Sequence, residues 1–419
     1  MIEESLYPKV LLLEHTFNNS TGMGITLTNL FYDWPKNRIG IMSDSIDIKC
    51  VDTIRPCSSY IGIGKSIDYS AKVERRITSV RPNGSLKSRV RKIYYDLGLN
   101  EMFGKTKILP SNMESVKVFA PDIVFCSLGT LNRMRVCESI IKAMPEAHLV
   151  IYIVDDWINS RVIEKKPTFF WKRLFHGSFK RLLQLSSGNL SICETMSQAY
   201  LQQFGKQFVP FHNPVDVQYW TNLSIERKYP KSVVSLLYVG KINEDTEECL
   251  VDCAKCVESL NIEGKEIVFD VFSPDYMSNQ VLFENYPHCH LLPAVPHEKI
   301  PELTKSYDSL LLTLGFSEKT IQYIRLSMPT KLSEYLASGL PIVLYCPSGV
   351  ALTDYVQSRD CAFCCTEKNI DKFRATLLQL FDKRKVQYVV QRSLGVAKEH
   401  DITIVRERFL RTMNNFIKS

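Results

Sequence analysis

No stretch of the 419-residue chain approaches the roughly 18 to 20 uninterrupted apolar residues that a membrane-spanning helix needs; runs such as Leu149–Val154 and Leu310–Leu314 are its longest candidates. The opening Met1-Ile2-Glu3-Glu4 has two acids where a signal peptide needs cations followed by an apolar core, so a soluble cytoplasmic protein is expected. There is no short-period repeat and no low-complexity segment. The 13 cysteines are odd in number and without a regular framework, which fits a reducing compartment better than a secreted disulfide scaffold. Triplets such as Asn83-Gly84-Ser85 then read as chance matches to a glycosylation acceptor.

The composition, 45% hydrophobic and 23% charged, is that of a globular protein, and 419 residues suggest two domains rather than one core. The net charge of +7 is concentrated: residues 65–107 hold eleven Lys or Arg against Asp68, Glu74, Asp96 and Glu101, and the rest of the chain is close to neutral. Short apolar runs alternate with amphipathic stretches. Val10–Leu13, Asp122–Cys126, His148–Val154 and Asn189–Cys193 read as buried strands, the first ending in a polar loop over Glu14–Gly24. After Phe211-His212-Asn213-Pro214-Val215-Asp216, which reads as a boundary, a second series runs through Ser235–Gly240, Glu266–Phe272, His290–Leu292, Ser309–Thr313 and Ile342–Tyr345. Both halves predict parallel α/β sheets.

The segment Pro329-Thr330-Lys331-Leu332-Ser333-Glu334-Tyr335-Leu336-Ala337-Ser338-Gly339 predicts a helix over about Thr330–Ser338, opened by proline and closed by glycine. The unpaired N–H groups of a first turn favour an anion, and Lys331 would add a point charge for phosphate oxygens. Glu334, three residues on, projects from the same side and could accept from two adjacent ribose hydroxyls. The bland alternative is an acid that merely complements the helix dipole.

Together with Leu237-Tyr238-Val239-Gly240-Lys241, the segment 211–216 and Ser191-Ile192-Cys193-Glu194-Thr195-Met196, this motif resembles the glycosyltransferase family 4-like enzymes of the GT-B fold, in a Pro-x-Lys-x-x-Glu-Tyr variant of their C-terminal donor motif. The resemblance spans about residues 8–400 and implies two Rossmann-like domains facing an interdomain cleft. The expected division is an acceptor-binding domain over 1–215, a nucleotide-sugar-binding domain over 216–395 and a C-terminal helix within 396–419 packing back on the first. The implied reaction is retaining, metal-independent transfer of a hexose-type sugar from a UDP- or GDP-sugar to a saccharide or lipid-linked acceptor, as in surface polysaccharide assembly, with no cofactor beyond the donor itself.

Carried onto this sequence, the resemblance gives Glu334 the ribose hydroxyls, Lys241 the diphosphate, and Gly22 and Gly24 a close backbone approach to ligand. Gly240, Arg325, Thr330 and Lys331 complete the donor-binding set, with Lys241 and Lys331 stabilising the leaving diphosphate. A second acid that family members carry eight residues before the ribose glutamate is Leu326 here. Lys241 could also be a plain loop lysine, and an N-cap at Thr21 would account for part of the Gly22/Gly24 loop. Asp155 and Asp156 follow a strand, as do Glu14 and His15, which makes them candidates for orienting hydroxyls or acting as base; a solvated turn with one capping acid is the alternative for the aspartates.

The basic stretches 72–92 and 165–181 mix cations with aromatic or apolar residues and suit an anionic membrane surface, giving a peripheral protein at the inner face of the cytoplasmic membrane. No nucleic-acid-binding motif accompanies them. Cys249, Cys253 and Cys256 share the spacing of an iron–sulfur motif, but i, i+4, i+7 is one stripe of an amphipathic helix. Cys361, Cys364 and Cys365 with His288, Cys289, His290 and His297 lack paired metal-ligand spacing, so no metal site is expected. Two other functions stay open: a nucleotide-sugar 2-epimerase of the same fold, and a non-catalytic nucleotide-sugar-binding scaffold, the latter suggested by Leu326.

Overall fold

In the computed structural model the described residues are 6–44, 46, 48–65, 90, 93–103, 106–163, 165–223 and 233–418; the basic stretch 72–92, apart from Val90, lies outside them. The chain folds as two compact units, Met1–Phe211 with Arg406–Ser419, and His212–Val405. These limits differ from the expected 215/216 and 395/396 because Val215 pairs in parallel with Asp401, and its backbone exchanges hydrogen bonds of 3.0 and 2.9 Å with His400 and Ile402. Val215 and its partner therefore belong to the second unit.

The first unit is built on a seven-stranded sheet in the order β3-β2-β1-β4-β5-β6-β7. Its strands are β1 (Val10–Leu13), β2 (Ile39–Met42), β3 (Ser59–Ile61), β4 (Ile123–Cys126), β5 (His148–Ile153), β6 (Ser186–Ser191) and β7 (Val209–Pro210). All pairings are parallel. β1, β2 and β4 are apolar but for Gly40 and buried throughout, as strands covered on both faces must be. Strand β6 begins three residues before the apolar signal at Asn189: Ser186 pairs with Leu149 across a register shift, a contact that polar residues do not announce.

Three helices of this unit matter below: α1 (Gly22–Leu30), α2 (Leu131–Ala143) and α3 (Thr168–Leu185). In the second unit a six-stranded sheet runs β10-β9-β8-β11-β12-β13, with β8 (Val233–Val239), β9 (Glu266–Ser273), β10 (Cys289–Pro293), β11 (Ser309–Thr313), β12 (Ile342–Tyr345) and β13 (Phe363–Cys365). Its helices include α4 (Glu244–Ile262) and α5 (Lys331–Ala337). Cys249, Cys253 and Cys256 lie on the buried side of α4 among Leu236, Phe269 and Tyr345, where burial pushes the Cys249 thiol up to about 11 and the Cys256 thiol up to about 12. They pack as small hydrophobes.

The last helix, α6 (Ile402–Lys418), starts in the second unit and from Arg406 onward belongs to the first. There Phe409 inserts edge-on among Phe31, Trp34, Phe125 and Phe211, with ring centroids 5.1 to 6.3 Å apart. Such edge-to-face pairs add about 0.5–1.5 kcal/mol each beyond area burial, so α6 is part of the first unit's core. Among the described residues no helix is long and apolar enough to cross a membrane.

Candidate functional site

In the second sheet the chain leaves β8 for β9 and β10 on one side, then crosses to β11 on the other. Open α/β sheets bind ligands beyond the carboxyl ends of their strands at such a switch point. The residues there are Val239, Gly240 and Lys241, with Lys241 exposed and its carbonyl accepting from the Tyr238 hydroxyl at 2.9 Å.

Lys331 comes to the same place from α5. Its ammonium donates to the Val239 carbonyl at 2.6 Å and stands 4.8 Å from the centroid of the Tyr238 ring. A β carbon on Gly240 would lie 2.5 Å from that nitrogen and 2.9 Å from the Tyr238 hydroxyl, so glycine at 240 is what leaves room for the lysine. Burial lowers the Lys331 pKa to about 8, and Glu334 acts in the opposite direction.

The sequence reading has Lys331 in the first turn of a helix starting near Thr330, as a point charge for phosphate oxygens; here its ammonium is bonded to a strand-end carbonyl. The helix starts at Lys331 rather than Thr330 and has only seven residues. Thr330 is already in helical conformation, makes no side-chain cap, and gives its carbonyl to the Asn213 amide at 3.1 Å. The positive charge at the end of β8 is thus a lysine fastened to a strand-end carbonyl, with Lys241 as the exposed cation beside it.

Glu334 is 7% exposed, far below what a dipole-complementing surface acid would show. Its Oε1 accepts from the His297 Nε2 at 2.8 Å. The hydrogen bond to the carboxylate is the main influence raising the His297 pKa, with burial opposing it and Glu298 adding to the rise. His297 opens the 3-10 turn that follows β10, 37 residues from its partner, and no local pattern in the sequence joins the two. Arg325 is exposed just after the helix Glu318–Ile324, and its carbonyl accepts from the Ala351 N–H at 2.9 Å. Leu326 is 3% exposed, packed as an ordinary apolar residue.

In the first unit the switch point lies between β1 and β4. Gly22 begins α1, and Thr21 caps it by accepting from the Gly24 N–H at 3.1 Å. The space above Gly24 is filled from within: a β carbon there would meet the Asn18 carboxamide at 2.1 Å. The Asn18 oxygen in turn accepts from the N–H groups of Ser20 and Thr21, at 3.0 and 2.8 Å. Glycine at 24 therefore serves the loop's own turn, a role the Gly-x-Gly spacing could not distinguish from approach to a ligand.

His15 donates from Nε2 to the Ser127 carbonyl at 3.2 Å, which fixes its tautomer. Burial and the nearby Arg133 lower its pKa to about 4, so it is neutral and a weak base near pH 7. Glu14 holds a left-handed φ of 63° at the end of β1, with Arg133 Nε at 3.8 Å; burial raises its pKa. Asp156 is turned inward, 1% exposed, its Oδ1 accepting from Asn159 at 2.7 Å and Tyr200 at 3.0 Å. Its carboxylate is thus held inside the unit by Asn159 and Tyr200; Asp155, half-buried, accepts the Trp157 N–H on its carbonyl at 2.8 Å.

The histidines considered for metal are engaged one by one: His288 with Glu258 and His290 with Asp270, each at 2.8 Å. Among the described residues no three His, Cys, Asp or Glu side chains converge as metal ligands.

No protein-family model matches the chain, and no curated protein matches it in sequence. Solved structures do. A glycosyltransferase from Rickettsia africae ESF-5 aligns with TM-score 0.64 and 10% identity over 98% of this chain and 99% of that one. The lipopolysaccharide outer core galactosyltransferase WaaB, in apo form, aligns with TM-score 0.56 and 16% identity over 97% and 98%. An E. coli trehalose-6-phosphate structure bound with UDP-2-fluoro glucose aligns with TM-score 0.60 and 11% identity over 98% and 99%. At such identities the likeness is one of fold, and the fold is the two-domain α/β GT-B type.

Proposed function

We propose that the chain is a glycosyltransferase that moves a hexose-type sugar from a UDP- or GDP-sugar to a saccharide or lipid-linked acceptor, with retention of anomeric configuration, without a metal, and in surface polysaccharide assembly. One observation carries the reading. At the carboxyl end of β8, beside the sheet's switch point, Gly240, Lys241 and the fastened ammonium of Lys331 come together, and Glu334 follows one turn along the same short helix. Cations there would stabilise the charge that develops on a departing diphosphate, and a buried carboxylate suits a ribose diol. Full-length structural likeness to glycosyltransferases, one of them bound with UDP-2-fluoro glucose, supports the same reading.

Glu334, Lys241, Lys331, Gly240, Arg325 and Thr330 form the proposed donor set of the second unit; in the first unit, taken by itself, Gly22 and the strand-end acids Glu14 and Asp155 are the proposed ligand contacts. Lys331 acts through a bond it already makes: its charge at Val239 sets the local potential, and Lys241 is the cation free to move toward phosphate. The departing diphosphate takes the acceptor proton in a front-side displacement, which leaves no step for a strong side-chain base and agrees with the weak basicity of His15.

The lipid-linked alternative for the acceptor draws on α3. Trp171, Phe175 and Phe179 are buried, whereas Phe169 is 77% and Phe170 46% exposed, next to exposed Lys172, Arg173, Lys180 and Arg181. Exposed aromatics set among cations fit the interface of an anionic bilayer, giving a cytoplasmic protein peripheral to the membrane.

The test is hydrolysis and transfer from a panel of UDP- and GDP-sugars by wild type, Glu334→Ala and Lys241→Ala. Turnover lost in both variants supports the transferase. A free 2-epimer as product, or binding without turnover in the presence of acceptor extracts, overturns it in favour of the epimerase or the scaffold.

A further inference from the structure

The carboxylate of Glu334 has one oxygen committed to His297 and, among the described residues, no second side-chain hydrogen bond. Its side chain is 9% exposed, while that of His297 is 31% exposed. The imidazole is therefore the more open member of the pair. The two residues come from separate elements: His297 stands in the turn after β10, where Pro296 restricts the backbone at φ −55°, and Glu334 lies in the first turn of α5. A carboxylate with one oxygen held and one left over is oriented, and an unheld glutamate would be free to rotate about its terminal torsion.

We infer that His297 is the positioning residue of a nucleoside diphosphate subsite: it holds Glu334 by Oε1 so that the other oxygen is presented to the ribose hydroxyls. This rests on the proposed role of Glu334 as the ribose acid and adds a residue to it.

Among the described residues, the charged and titratable groups on the elements packed against the pair include those of the helix Lys383–Ala397, which packs against α5 and carries Lys383, Arg384, Lys385, Tyr388 and Arg392. On its own turn His297 has Glu298 and Lys299, and from α5 it faces Glu334, which Lys331 also influences. On the next helix, Ile300–Thr304, Glu302 is engaged by Lys305 at 2.9 Å. The helix Val217–Leu223, packed against both Ile300–Thr304 and α5, has only Tyr219 as a titratable side chain. Protonated His297 makes a charge-assisted bond to the carboxylate and adds a positive charge near a ligand that carries phosphates. Affinity therefore weakens as pH rises and the imidazolium is lost.

The experiment is calorimetric titration of UDP and of GDP between pH 5.5 and 8.5 into wild type, His297→Ala, His297→Gln, Glu334→Gln and Glu334→Ala, with thermal melts of each. The ligand's own phosphate titration is common to all the proteins and cancels in their ratio. At low pH His297→Ala loses about tenfold in affinity, the size of one charge-assisted hydrogen bond. His297→Gln, which keeps a donor and cannot titrate, recovers most of that loss and flattens the pH dependence relative to wild type. Equal affinity and equal pH profile in wild type and both His297 variants, with binding lost in Glu334→Ala, overturns the role of His297 and leaves the ribose acid standing. No binding of either nucleotide by wild type overturns the donor-site reading itself. Should His297→Ala fail to fold, the profile of His297→Gln against wild type decides.

Discussion

The ammonium of Lys331 and the carbonyl of Val239 are 2.6 Å apart, and the nearest obstacle to that contact is a methyl group that Gly240 does not have. The lysine can shift, since the clash falls on the end of a flexible side chain, but the Tyr238 hydroxyl 2.9 Å from the same point cannot move as easily. Gly240→Ala is expected to cost about 1–2 kcal/mol of stability by overpacking. It should weaken nucleotide binding by more than it weakens the fold. Urea denaturation and nucleotide titration of the variant check both parts, and an unchanged affinity would detach Lys331 from the donor site.

Gly188 on β6 is matched to Phe416 on α6: a β carbon at 188 would sit 2.2 Å from the ring. Gly188→Ala should destabilise the protein by about 1–3 kcal/mol because the ring has to leave its place on the sheet. The double variant Gly188→Ala/Phe416→Ala should lose less than the sum of the two single losses, measured by denaturant unfolding. Additive losses would mean that the two positions do not share this space.

His15 gives a pH dependence with a definite sign. Its folded pKa of about 4 lies below the ordinary 6.5, so the folded state holds fewer protons than the unfolded one between those values. The contribution is in full effect above pH 6.5 and is lost as pH falls from 6.5 toward 4, to a maximum of about 3 kcal/mol. Denaturation midpoints of wild type and His15→Gln over that range should converge as the pH drops. Parallel curves would sink the assignment of a neutral, buried imidazole.

Membrane contact through α3 is tested by sedimentation with vesicles. Binding should require anionic lipid, decrease with salt, fall several-fold in Phe169→Ser, and fall at least about thirtyfold in Lys172→Glu/Arg173→Glu, since each near-surface cation is worth about 1 kcal/mol. Thermal melts should be little changed, because Phe169 is 77% exposed and contributes no core packing. Binding that ignores lipid charge and salt would remove the idea.

The strands were the most legible part of the chain. Val10–Leu13 and Ile342–Tyr345 are buried at every position, and a short apolar run needs no partner residue to declare itself. The start of β6 at Ser186 was not legible, since serine and glycine carry no apolar signal and only pairing with β5 makes them a strand. Asp155 and Asp156 look alike in sequence, and it is tertiary contacts, among them the bonds from Tyr200 and Asn159, that turn Asp156 inward.

Local chemistry determined which residue types stand where: glycine and lysine after β8, glutamate one turn into a short helix, alternating strands and helices in two series. These are properties of neighbouring residues, and neighbouring residues are all that periodicity can report. What each side chain is bonded to was decided by the tertiary structure. Lys331 meets a carbonyl 92 positions away and Glu334 an imidazole 37 positions away. Such contacts exist only once the sheets have formed, because hydrogen bonds of about 3 Å between distant segments are fixed by packing rather than by spacing along the chain.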